Sequence, residues 1–163
     1  MAVKVSLRKV REEMEALSQM DTAYLNRRTG ELHTIRESER DEVGFGGDAV
    51  DEKPDWIREM ADKIEEIESN PEEWLTLPDS FEIHEWRLME RFCGTVENPR
   101  WRDDLYRAIH GRGAFRFFKD TTYRLGIQDE WYRFRDNALK RIAIGWLEAE
   151  GIEYTDDDQR SNP

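Results

Sequence analysis

The sequence predicts an α+β fold, mainly helical, in which a small antiparallel sheet is packed by helices and followed by a C-terminal run of four helices. Three observations lead there. Two short segments rich in β-branched and aromatic residues face each other across Gly30. Apolar residues at three- and four-residue spacing fill most of the remaining chain, and after Asp79 they are interrupted at Asn98-Pro99, Gly111 and Gly126. Six Trp, five Tyr and seven Phe supply the bulk of a core that a disordered chain would lack.

Each element has its own signal. Val5, Leu7, Val10, Met14 and Leu17 follow a helical period with Ser6 as N-cap, which predicts a helix over residues 6–20. Residues 22–27 and 31–35, with Tyr24, Leu32 and Ile35, form a hairpin whose turn uses the positive φ open to Gly30. Residues 38–53 are acidic and contain the Gly44 to Gly47 stretch, and are expected to be a flexible insert. Pro54 and Asp55 open a helix carrying Trp56, Ile57, Met60, Ile64 and Ile67 on its apolar side. Residues 74–77, ended by Pro78, offer a third strand.

The four later helices begin with Asp79 and Glu82 at capping-box spacing, followed by a stripe of Trp86, Met89, Cys93 and Val96. Asn98 as cap and Pro99 as first helical residue restart the chain toward Trp101, Leu105, Ala108 and Ile109. After Gly111 a helix places Phe115, Phe118, Thr122 and Leu125 on one side and stops at Gly126. The last, capped by Asp129, runs to about Ala149 with Trp131, Phe134, Ala138, Ile142 and Gly145 as its stripe. Gly145 there suggests close approach of a neighbouring helix.

The 163 residues suit one domain over residues 1–155, with residues 156–163 as a disordered acidic tail. Twenty-five basic against 37 acidic side chains leave a net charge of −12, a field that repels nucleic acid and anionic membranes. No apolar run is long enough to span a bilayer, and the N-terminus lacks the apolar core of a signal peptide, so a cytoplasmic location is expected. Cys93 is the sole cysteine, which excludes an internal disulfide and a multi-cysteine metal site.

The net charge hides an asymmetry. Residues 100–147 hold eleven basic and six acidic side chains, a balance of +5 that leaves −17 for the remainder. Inside this segment His110, Gly111, Arg112, Gly113, Arg116, Phe117 and Lys119 surround a glycine turn at a helix start. Arg133 and Arg135 interleave with aromatics farther on. Glycines that let the backbone turn, free helix N–H groups and nearby guanidinium groups together read as a site for an anion or an anionic partner. The turn is neither a phosphate-binding Gly-Lys-Ser/Thr loop nor a complete dinucleotide fingerprint. Phe117 lies off the apolar stripe of its helix, so it either packs on another helix or stands exposed beside the arginines.

The run from Gly111 to Asp120, then Trp131-Tyr132-Arg133-Phe134-Arg135-Asp136, then Trp146-Leu147 with Gly151-Ile152-Glu153, resembles uncharacterised protein family 0158, a bacterial family of unknown function. Tyr24-Leu25-Asn26 and Thr29-Gly30-Glu31-Leu32 are similar to that family's opening hairpin, with Asn26 standing where an acidic residue is expected. The resemblance implies no activity, cofactor or catalytic residue.

Little points to catalysis. His33, His84 and His110 are far apart and show no metal-ligand spacing, so no metal or cofactor is expected. The serines lack a nucleophile-elbow context, and Cys93 lies on an apolar stripe. The reading is therefore a non-enzymatic protein-interaction or regulatory module using the basic-aromatic face around residues 111–136, with a protein as its partner. Nucleic acid is disfavoured by net charge, and no membrane is involved. An alternative is a nucleotide- or RNA-binding protein, extending to a metal-free phosphodiesterase with His110 as base. A second is an acidic decoy such as an antitoxin or immunity protein, suggested by Glu65, Glu66, Glu68, Glu72 and Glu73.

Overall fold

The computed structural model of the chain describes residues 3–44, 53–79 and 83–158. Its helices are α1 (Leu7–Ala16), α2 (Glu37–Gly44), α3 (Asp55–Ser69), α4 (Glu85–Thr95), α5 (Pro99–Ile109), α6 (Ala114–Arg124) and α7 (Gln128–Ala149). Its strands are β1 (Val5–Ser6), β2 (Thr22–Asn26), β3 (Leu32–Ile35), β4 (Trp74–Thr76) and β5 (Tyr154–Thr155). β2 is the centre of an antiparallel sheet in the order β3-β2-β4, with Tyr24 paired to His33 on one side and Thr76 on the other. The fold is α+β and mainly helical, with the hairpin, third strand and four later helices that the sequence predicts.

Local chemistry explains most boundaries. The Ser6 hydroxyl accepts from the Lys9 amide, so α1 starts where expected, but it ends at Ala16 because Leu17 is extended. Asn26 is buried, and its Oδ1 accepts from the amides of Arg28 (2.9 Å) and Thr29 (3.0 Å). An Asx turn of this kind needs a short side-chain acceptor, which gives Asn26 a structural reason to occupy the position. Gly30 has φ +79°, which favours glycine, and a Cβ there would also press on Val3 Cγ1 at 3.2 Å. Asn98 caps α5 by accepting from the amides of Arg100 and Trp101, with Pro99 in the first turn.

Several expectations change. The acidic insert is not a loop throughout: residues 37–44 form α2, whose start is closed by the Arg36 amide donating to Glu39 Oε2. Val43 alone among its residues is large and apolar, so helical periodicity could not reveal it. Residues 45–52 lie outside the described residues, as does Glu82. α4 begins at Glu85 behind His84, a non-glycine residue at φ +51°. Asp129 does not cap α7; it lies in the first turn, where its charge favours the positive end of the helix. A Cβ at Gly145 would meet nothing within 4 Å, so no helix approaches closely there. The face that α7 buries is Trp131, Leu139, Ala143 and Leu147, one step around from the stripe read off the sequence. Trp56 and Phe115, both expected in the core, are about half exposed.

The main core joins α1, the sheet, α4, α5, α6 and α7. At its centre Trp131 receives the edges of Phe118 at 4.8 Å and Phe92 at 5.4 Å between ring centroids, a preferred aromatic geometry. A smaller cluster of Ile35, Ile64, Ile67 and Trp74 fixes α3 to the sheet, with the Lys63 ammonium 4.7 Å above the Trp74 ring. Cys93 is fully buried, and burial pushes its thiol up to about 11, where thiolate chemistry is suppressed.

The C-terminal segment departs furthest from expectation. β5 pairs in parallel with β1, and the Val5 amide donates to the Glu153 carbonyl. Asp157, placed in a disordered tail by the sequence, accepts from the Ser6 hydroxyl and the Arg8 amide at the start of α1. Asp158 is buried and accepts from Arg11 Nε. Arg11, itself fully buried on α1, also reaches Glu15 at 2.9 Å and Asp136 of α7 at 3.6 Å. Lys140 closes the same corner on Asp156 at 3.2 Å. Through residue 158 the chain is therefore held down; residues 159–163 lie outside the described residues.

Asp157 carries a pH signature. The Ser6 hydroxyl and then the Arg8 amide hold its carboxyl below the ordinary carboxylate value of about 3.9. A depressed folded value contributes stability above the unfolded value and loses it as pH falls through the folded one. Asp157→Asn is therefore expected to be less stable than the parent chain at pH 7, with the gap narrowing below about pH 4. Urea denaturation at pH 7, 4 and 3 checks this.

Candidate functional site

The face around residues 111–136 is built by α5, the glycine turn and α6. Ile109 ends α5, His110 closes it, and Gly113 takes φ +70° as the first flank of α6 without a side-chain cap. A side chain at 113 would be strained by that φ, and its Cβ would lie 3.5 Å from the Phe117 ring, which folds back over the turn. α6 turns Phe118, Thr121 and Thr122 inward. That leaves Phe115, Phe117 and Tyr123 on the outside, exposed by 49, 56 and 75%. Three exposed aromatics on eleven residues is unusual for a helix whose other face is well packed.

Cations surround these rings. Arg112, Arg116 and Lys119 are exposed and form no ion pair with any described residue. Arg107 of α5 is likewise exposed and unpaired among the described residues. Arg107, Arg112 and Phe117 line a shallow groove of about 360 Å³ between α5 and α6, with Asp104 and Thr121 on its walls. Arg124 lies 3.6 Å from Asp104 and so neutralises the carboxylate at that edge.

The other predicted positions separate from this group. His110 Nδ1 sits 2.6 Å from the Tyr106 carbonyl, and its ring stands edge-on to Trp86 at 5.8 Å. It thus belongs to the end of α5 and the Trp86 side, whereas the groove opens on the Phe117 side. Arg135 is turned inward: Nε donates to Glu85 at 2.9 Å and Nη1 to Glu15 at 3.3 Å, tying α7 to α4 and α1. It is a brace within the fold and not part of the face. Arg133 is exposed on α7. Gly111 and Gly113 form the turn, and Phe117, left open by the sequence, is exposed.

Sequence reasoning missed Arg107 and Tyr123. Tyr123 follows from helix geometry once Phe118 is taken as the buried centre of α6, and Arg107 once Leu105 and Ile109 are taken as the buried side of α5. Glu85, which no motif in the sequence marks, is an anchor of Arg135. Further cavities lie elsewhere, among them one of about 470 Å³ lined by Phe92, Asn98, Trp101 and Ile127. A polar one of about 750 Å³ between α1, β3 and α2 is lined by Glu13, Asp21, His33 and Glu39. A more apolar one of about 740 Å³ is lined by Leu17, Met20, His84, Trp86 and Phe115. Among the described residues no three His, Cys, Asp or Glu side chains are placed to hold a metal ion, and no helix is long and apolar enough to cross a membrane.

With this geometry in hand, comparison with known proteins is narrow. The family model described as uncharacterised protein family UPF0158 matches residues 49–162, which include α3 to α7, the glycine turn and the C-terminal segment. UPF0158 protein PA5073 of Pseudomonas aeruginosa is 32% identical over 89 residues, covering 53% of this chain and 58% of that protein. The chain thus spans less than two thirds of that relative's length. No solved structure matches.

Proposed function

The chain belongs to the uncharacterised protein family UPF0158, and from that premise we propose that it is a non-enzymatic interaction or regulatory module that docks an acidic protein surface on α6 and the glycine turn. One observation carries the reading: Phe117 stands exposed at the groove lined by Arg107 and Arg112, and Tyr123 stands exposed on the side of α6 that carries Arg116 and Lys119, four cations with no ion pair among the described residues. Aromatic and arginine side chains dominate the energy of protein interfaces, because each combines large contact area with directional polar groups. Unpaired cations around exposed rings attract a partner of opposite charge and set its orientation.

The test is capture of partners by tagged protein from native lysate, with and without nuclease, repeated with Arg112→Ala/Arg116→Ala. A stoichiometric protein that survives nuclease and is lost in the variant is the expected result. Nucleic acid retained by the parent chain and lost in the variant would replace this reading with the nucleotide- or RNA-binding one. Unchanged capture by a folded variant would remove the face from consideration.

A further inference from the structure

We infer that the surface docked on α6 is the acidic ridge of α3 in a second copy of this chain, so that the protein associates head to tail. This rests on the reading of α6 as a docking face and adds the identity of what it docks. Asp55, Glu59, Asp62 and Glu66 recur along α3 at intervals of four, three and four residues, which puts all four on one side of the helix. All are exposed. Asp55 and Glu66 are shared with Arg58 and Lys63 of the same helix, while Glu59 and Asp62 have no ion pair among the described residues. Trp56, 55% exposed, flanks Glu59.

The two helices are complementary. α6 offers Arg116, Lys119 and Tyr123 on one side of the helix; α3 offers Glu59 and Asp62, with Trp56 three residues before Glu59. α3 is anchored through the cluster of Ile35, Ile64, Ile67 and Trp74, and α6 through Phe118 in the main core. Each ridge is therefore set on its own packed base.

Charge also selects the mode of association. A two-fold contact of α6 with α6 would place Arg112, Arg116 and Lys119 against themselves, with only Asp120 on the helix to offset them. Contact of α3 with α3 would oppose four carboxylates to four. Of the three pairings, α3 with α6 brings unlike charge together; made once per copy it builds chains or rings, and made reciprocally by two copies it closes a dimer. The net charge of −12 opposes assembly, but at physiological ionic strength charges farther apart than about 8 Å are largely screened, which favours the local match. A single helix-on-helix contact is at the small end of interfaces, so association should be weak and concentration-dependent.

Sedimentation velocity on the full chain over a wide concentration range tests this, with Arg116→Glu/Lys119→Glu and Glu59→Lys/Asp62→Lys as variants checked for folding by circular dichroism. The parent chain should associate with rising concentration, and about 1 M salt should weaken this on the order of tenfold. Each variant alone should stay monomeric, and an equimolar mixture of the two should assemble, because acidic α6 then meets basic α3. A parent chain that stays monomeric throughout, or variants that associate like the parent, would each overturn the inference. Loss of a lysate partner in Arg112→Ala/Arg116→Ala despite a monomeric parent would leave the docking face intact and refute only self-association. Failure of both experiments would refute the face itself.

Discussion

Arg11→Ala is expected to lower the unfolding free energy by about 3–5 kcal/mol in urea denaturation, the range for removing one member of a buried ion cluster. Arg11 is wholly shielded from water and meets carboxylates from three parts of the chain: Glu15 of α1, Asp136 of α7 and Asp158 beyond β5. Burial alone would lower the basicity of its guanidinium. The bond to Asp158 and the attraction of Asp158, Asp136 and Glu15 outweigh that, and its pKa stands above the ordinary arginine value. Without the guanidinium, Asp158 and Asp136 keep their desolvation cost and lose the attraction that offsets it. A control separates this from simple loss of packing: Arg11→Met keeps most of the side-chain volume and should still be strongly destabilised, whereas Arg11→Met/Asp158→Leu removes charge on both sides and should recover a large part of the loss. If Arg11→Met alone is as stable as the parent chain, the corner is held by apolar packing and not by the ion cluster.

This corner also shows where the sequence stops being legible. Helix starts and the hairpin depend on residues within four positions of one another: Ser6 with Lys9, Asn26 with Arg28 and Thr29, Asn98 with Trp101. Local chemistry of that kind can be read directly from the chain. The parallel pair of β1 with β5 and the bond from Arg11 to Asp158 join residues nearly 150 apart, and no composition or period marks them. Asp156 to Asp158 therefore looked like part of a frayed acidic end. The same limit applies to Arg135. Interleaving of arginine with aromatics around Trp131 suggested an outward face, but which side of α7 is buried depends on α1 and α4, whose Glu15 and Glu85 take the guanidinium inward. The exposure of Arg112, Arg116 and Phe117, by contrast, is set by the glycine turn and the period of α6, which are local.

Phe117 and Phe118 are adjacent in sequence and are expected to behave oppositely. Phe118→Ala should cost about 3–5 kcal/mol, the range for deleting a buried phenyl ring, since Phe118 is fully buried and packs edge-on to Trp131 and Phe92. Phe117→Ala removes a ring that is more than half exposed and rests on the Gly113 turn, and its effect on stability should stay within about 0.5 kcal/mol. Urea denaturation followed by tryptophan fluorescence measures both, because Trp131 reports directly on the Phe118 contact. Binding should rank them the other way. Phe117→Ala leaves α6 in place and removes part of the docking surface, so a folded variant should lose partner capture. Phe118→Ala keeps every outward side chain and should impair capture only insofar as α6 loses its anchor, a loss that mild cooling or a stabilising osmolyte can offset. If Phe117→Ala instead cost 2 kcal/mol or so, more than a surface ring can supply, Phe117 would be core material and the docking face would lose its centre.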